Sequence, residues 1–163
     1  MKMIAVGRVC VALASFVFSA AAWSEVGQGS LAGSEKFKVS RCGKEGGPTS
    51  VDLSLAANNT FSLVTEGRTY TGTYSGTGNA FTFSLDQASI QQFGDVMAGN
   101  ASDLCDAAVT VGSVSVRSAS LKLNKSHTAA KLKFSATGTG SANGVSGTAS
   151  FKLKAGGNWG APS

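Results

Sequence analysis

The chain has 163 residues, with 21 glycines, two prolines and one histidine. Fourteen Lys and Arg stand against nine Asp and Glu, a net charge of +5. There is too much Val, Leu and Phe for a disordered chain, and a single histidine with scattered cysteines leaves no metal-ligand set.

Residues 1–22 read as a secretory signal. Lys2 and Arg8 form a basic start, Val9–Ala22 is apolar, and Ala20-Ala21-Ala22 fits small-x-small cleavage before Trp23. Ala22-Trp23-Ser24 fits nearly as well and gives a start at Glu25. The apolar run is shorter than the ~20 residues needed to span a bilayer, and no later segment is long and apolar enough to cross one. Cys10 lacks the context of a lipoprotein signal. About 140 residues remain, enough for one domain with one core.

Residues 23–35 read as a glycine-rich lead-in. The first strand is expected over Lys36–Cys42, with Phe37 and Val39 on one face and Lys36 and Lys38 on the other. Gly43–Pro48 reads as a loop. A second strand carries Val51, Leu53 and Leu55, Asn58-Asn59 turns the chain, and a third strand carries Phe61 and Leu63. Glu66-Gly67 predicts a tight hairpin. The stretch Thr69–Asp86 states the pattern of the whole chain. Tyr70, Gly72 and Tyr74 alternate with threonines, Ser75–Asn79 turns, and Phe81, Phe83 and Leu85 alternate with Thr82, Ser84 and Asp86. Period two with one apolar face is a half-buried strand.

From Ala88 to Gly99 the period changes. Ile90, Phe93 and Met97 fall on one face of a short helix packed on the end of a sheet. Asp86 or Ser89 would cap its start, and Gly99-Asn100 would stop it. Asn100–Asp106 then reads as a loop holding Cys105.

An extended segment over Ala108–Leu123 slips phase twice, which predicts bulges near Gly112-Ser113 and Arg117-Ser118. The seventh strand spans Ala129–Gly138. Ala142-Asn143-Gly144 is a hairpin signal, the eighth strand spans Val145–Lys154, and residues 155–163 read as a loose tail apart from a possible docking of Trp159. The domain proper is thus expected over residues 36–154.

The expected fold is all-β: an eight-stranded antiparallel up-and-down barrel with one short helix, which leaves no exposed edges. A two-sheet β-sandwich is the alternative. Gly72, Gly138, Gly140 and Gly147 suit bends in a small barrel. The plan resembles calycin-type barrels, but the Gly-x-Trp element (Gly157, Trp159) lies at the C-terminal end. Lipocalins carry theirs near the N-terminus, so the sequence assigns no family.

Export would remove Cys10 and leave Cys42 and Cys105, expected to pair as a disulfide in an oxidising compartment. Free or intermolecular thiols are the alternative. The expected location is the periplasm or beyond, where Asn-x-Ser/Thr matches at Asn58, Asn100 and Asn124 are incidental.

Catalysis has little support. His127 falls in a turn, no nucleophile elbow or metal-binding histidine pair occurs, and no phosphate-cradling glycine loop stands between a strand and a helix. Paired carboxylates could be drawn from Asp52, Glu66, Asp86, Asp95, Asp103 and Asp106, but Asp52 and Asp86 lie on outward strand positions, and Asp95, Asp103 and Asp106 cluster around the helix and its exit, where capping and loop solvation explain them. No enzyme activity and no cofactor are expected.

Charge says more. From Ala107 to Ser163 there is no Asp or Glu, but there are Arg117, Lys122, Lys125, Lys131, Lys133, Lys152 and Lys154. The lysines alternate with Leu and Phe, which sets them on the outer face of adjacent strands. Solubility and edge protection explain scattered lysines. A long stretch without a balancing acid points instead to a surface for an anionic partner: an acidic lipid, lipopolysaccharide or an acidic polysaccharide. Nucleic acid is disfavoured by export and by the lack of exposed aromatics interleaved with the lysines for base stacking.

The second candidate site is the interior, lined by Phe61, Tyr70, Tyr74, Phe81, Phe83, Phe134 and Phe151. Such a barrel is either filled by side chains or holds one small hydrophobic ligand. The expected function is that of an exported non-enzymatic binding protein for a hydrophobic or amphipathic anionic ligand of lipid or lipopolysaccharide type. The alternative is a surface or interaction module, adhesin-like or inhibitory, with a filled core.

Overall fold

The computed structural model describes residues 25–161; the expected leader over residues 1–22 lies outside them. Eight strands run in chain order: β1 (Glu25–Val39), β2 (Gly43–Ala56), β3 (Thr60–Thr65), β4 (Arg68–Thr77), β5 (Ala80–Leu85), β6 (Val109–Leu123), β7 (Ala129–Ala142) and β8 (Val145–Asn158). Each pairs antiparallel with the next, and β8 pairs with β1, closing the barrel. Closure rules out the sandwich.

Alternation decides inside from outside. On β7, Ala130, Leu132, Phe134 and Ala136 are buried while Lys131 and Lys133 are exposed. On β6 the register shifts between Val111 and Ser113 and again between Val116 and Ser118, where the sequence predicts them. The two bulges keep Val109, Val111, Val114, Val116, Ala119 and Leu121 on the inner side despite the phase slips. Three hairpins have two-residue turns. Two of them use positive φ at each central residue, Glu66 (49°) with Gly67 (73°) and Asn143 (50°) with Gly144 (79°), and the third, Gly78-Asn79, uses it at Gly78 (68°), the conformations that match strand twist.

Four expectations are corrected. Residues 25–35 are not a lead-in: β1 begins at Glu25. The glycines that suggested looseness make room, because the Trp159 ring lies over the inner side of Gly27, where a Cβ would come within 2.5 Å of the indole nitrogen.

Residues 43–48 are not a loop but the start of β2, paired with β1. Pro48 is tolerated there because β3 pairs with β2 only over Asp52–Leu55, so no ladder bond is asked of it on that side.

The tail is held. β8 runs to Asn158, Trp159 is buried, and Gly160 exchanges backbone hydrogen bonds with Gln28 at 2.9 and 3.0 Å.

The helix α1 spans Gln87–Cys105, passing through Gly99-Asn100 and replacing the loop expected over 100–106. A glycine in a helix costs only about 1 kcal/mol. Burial of Met97 and Ala101 opposes that cost, and the helix ends at Asp106 in the left-handed conformation. The Asp86 side chain caps the start, accepting from the Ser89 backbone N–H at 2.8 Å.

The helix fills an opening. β5 and β6 pair only over Ala80–Thr82 and Ser120–Lys122, so β6 runs past the end of β5 unpaired on that side. α1 occupies the gap and packs chiefly on β6. Its last residue, Cys105, is bonded to Cys42 in the β1–β2 turn, with Cα atoms 4.8 Å apart. No described helix is long and apolar enough to cross a membrane.

Candidate functional site

The outer flank of β6, β7, β8, β1 and β2 carries a staircase of exposed lysines. Lys122 stands directly opposite Lys131. Two residues along β7, Lys133 stands opposite Lys154. Two residues along β8, Lys152 stands opposite Lys36. Two residues along β1, Lys38 stands opposite Lys44. The other cross-strand neighbours of these eight lysines are Ser120, Ser135, Ser150, Ser34, Gly46, Gly156 and Ala80, so among the described residues no acid stands directly opposite any of them.

Each step crosses one strand and advances two residues in the same direction. The path therefore runs at about 45° to the strands and covers about 25–30 Å, from strand spacing and rise. It leads from the β6–β7 turn at one end of the barrel to the β1–β2 turn at the other, a basic ridge along one side.

Of the residues singled out in the sequence, Lys122, Lys131, Lys133, Lys152 and Lys154 lie on the ridge. Lys125 extends it from the β6–β7 turn. Arg117 does not join it: it sits at the second bulge of β6 and its Nε donates to Thr137 Oγ1 at 3.1 Å. Lys36, Lys38 and Lys44 are added. They belong to the N-terminal half of the chain and reach the ridge only because β1 closes against β8. Alternation placed Lys36 and Lys38 outward, which was the available signal; Lys44 had none.

The interior is occupied. Phe61, Tyr70, Tyr74, Phe81 and Phe134 are buried, and Phe83 and Phe151 pack against that core. The helix contributes Phe93, whose ring meets Phe151, Phe134 and Tyr70 edge-on at centroid distances of 5.2, 5.4 and 6.1 Å. The Tyr74 hydroxyl donates to the Ala56 carbonyl at 2.7 Å. A cavity of about 60 Å³ remains among these side chains, with Glu35 at its edge. Ligand pockets of drug size measure ~300–1,000 Å³.

Burial pushes the Glu35 carboxyl above its ordinary value, and the negative charges of Glu66 and Glu45 push it further. Burial raises the Tyr70 hydroxyl as well, against the opposing pull of Arg68. Asp86 goes the other way, lowered by hydrogen bonds from Thr71 and Ser89.

His127 occupies a turn with φ 55°. No group of three or more His, Cys, Asp or Glu among the described residues is arranged to hold a metal ion.

Fold and surface together define an up-and-down barrel with a filled interior, a helical plug and one lysine-lined flank. No protein-family model, curated protein or solved structure matches this chain.

Proposed function

We propose that the chain is an exported, non-enzymatic binding protein that engages an anionic amphipathic ligand, an acidic lipid or lipopolysaccharide, through its lysine ridge. The carrying observation is the set of four Lys–Lys pairs directly across strands. Like charges in that position are destabilising, and a ligand that supplies negative charge along the ridge offsets the repulsion. The flanking serines add hydroxyl donors suited to phosphate or carboxylate oxygens. The filled interior favours binding on the outside over burial of an acyl chain among the phenylalanines. The leader-like N-terminus and the disulfide support a periplasmic or extracellular location.

The test is co-sedimentation with vesicles of neutral phospholipid, with and without acidic phospholipid, and with lipopolysaccharide. The wild type is expected to bind only the anionic samples. A variant with Lys131, Lys133, Lys152 and Lys154 changed to Glu is expected to bind none of them. Equal binding by both proteins overturns the reading.

A second reading, a surface interaction module with a filled core, is favoured by the small interior cavity and by the exposed Val145 at the β7–β8 hairpin. Failure of every anionic sample to bind the wild type would move the assignment there.

A further inference from the structure

The inward faces of β7 and β8 shrink toward the end of the barrel that holds the β1–β2 turn. Along β7 the sequence steps from Phe134 through Ala136 to Gly138 and Gly140; along β8 it steps back from Phe151 through Ala149 to Gly147. Part of the vacated space is taken by α1. Met97 lies over Gly138, where a Cβ would come within 3.2 Å of its methyl carbon. The rest is a pocket of about 190 Å³.

The pocket is bounded by Val39, Met97, Ala101, Val109, Val111 and Ala149, among others, and Val145, 54% exposed, forms its lip. Among the described residues, Arg41 is the sole charged member of the lining and no carboxylate belongs to it. Arg41 belongs to the turn that follows Lys38 and precedes Lys44, so the basic ridge ends at the pocket mouth.

We propose that this pocket receives a saturated alkyl segment of an anionic amphiphile whose head group lies on Arg41, Lys38 and Lys44. The charge at the mouth selects the head group, and the apolar walls select the chain. The volume suits part of one chain and not a whole lipid, for which the range is several hundred Å³. This inference deepens the lysine-ridge reading and rests on it.

The probe is octyl phosphate below its self-association threshold. Inorganic phosphate serves as the head group alone and octyl glucoside as the chain without charge. Calorimetry reads affinity, and methyl-labelled methionine NMR reads the pocket, because Met97 is the sole methionine after Met3. Octyl phosphate is expected to shift the Met97 methyl signal and phosphate to leave it in place.

Ala149→Phe, which fills the pocket, is expected to weaken octyl phosphate binding by about tenfold or more, the worth of two buried methylenes. Lys38→Glu with Lys44→Glu is expected to weaken it comparably while leaving the Met97 shift at saturation unchanged.

Binding that leaves the wild-type Met97 signal unmoved, and is lost with the two Lys→Glu changes, overturns the pocket and spares the ridge. The same result removes any dependence on how well Ala149→Phe folds. A Met97 shift with affinity untouched by the two Lys→Glu changes overturns the ridge reading and the head-group placement with it.

Discussion

Lys133 on β7 and Lys154 on β8 stand directly opposite each other on the outer face of the barrel, and their remaining cross-strand neighbours are serines. Such a pair opposes folding by a few tenths to about 1 kcal/mol. Lys154→Glu is therefore expected to raise the melting temperature by about 2–4 °C at low salt. The gain should shrink in 1 M salt, where the screening length is about 3 Å. The same variant is expected to lose affinity for acidic vesicles. Thermal melts at two salt concentrations, beside co-sedimentation, check both halves. A stability gain without loss of binding would assign the repulsion no function.

The ridge also shows where the sequence was readable and where it was not. Alternation around Leu121, Leu132, Phe134 and Leu153 fixed the outward lysines of the last three strands, and the phase slips at Gly112 and Arg117 located both bulges. Lys36, Lys38 and Lys44 escaped because their place depends on β1 meeting β8, a contact between strands far apart in sequence. Glycine misled in both directions. At Gly27 it signals a tryptophan packed overhead and not a loose lead-in, and at Gly99 it fails to stop a helix whose buried face continues through Ala101. Pattern alone could not give these, since each is decided by a neighbour from another part of the chain.

Phe93 is the helix residue that fills the barrel, touching Tyr70, Phe134 and Phe151. Phe93→Ala is expected to cost about 3–5 kcal/mol in denaturant unfolding. It should also join the vacated volume to the existing cavity, so that benzene raises the melting temperature of the variant and not of the wild type. A loss under 1 kcal/mol would mean that the helix face is not packed as described.

The Cys42–Cys105 bond spans a sequence separation of 63. Cys42→Ser with Cys105→Ser is expected to lose about 4 kcal/mol, the chain-entropy value for a loop of that length. The purified wild type should weigh two hydrogens less than its reduced form in mass spectrometry. Two alkylatable thiols in addition to Cys10 would contradict the bond.

Glu35 carries a pH dependence with a definite sign. Its folded pKa lies above the ordinary 4.5, so the fold holds the proton more tightly than the unfolded chain does. The associated stability is complete below pH 4.5 and is lost as pH rises through the folded value. Glu35→Gln is expected to flatten the decline of the melting temperature above pH 4.5, the ordinary value for this carboxyl. Asp86, lowered from 3.8, acts in the opposite sense at more acidic pH and leaves that window undisturbed. Parallel pH profiles for wild type and variant would refute the assignment.

The seam between β1 and β8 has a consequence for how the molecule is made. The strand that emerges first from any translocating or synthesising machinery must wait for the last 14-residue strand before it gains its second neighbour. Until then β1 can pair with β2 alone, and the Trp159 ring that covers Gly27 is absent. Closure therefore joins two strands far apart in sequence and comes late, at the entropic cost of a very long loop. A polypeptide wired in this way stays an open sheet until its last strand is available and becomes a barrel only then.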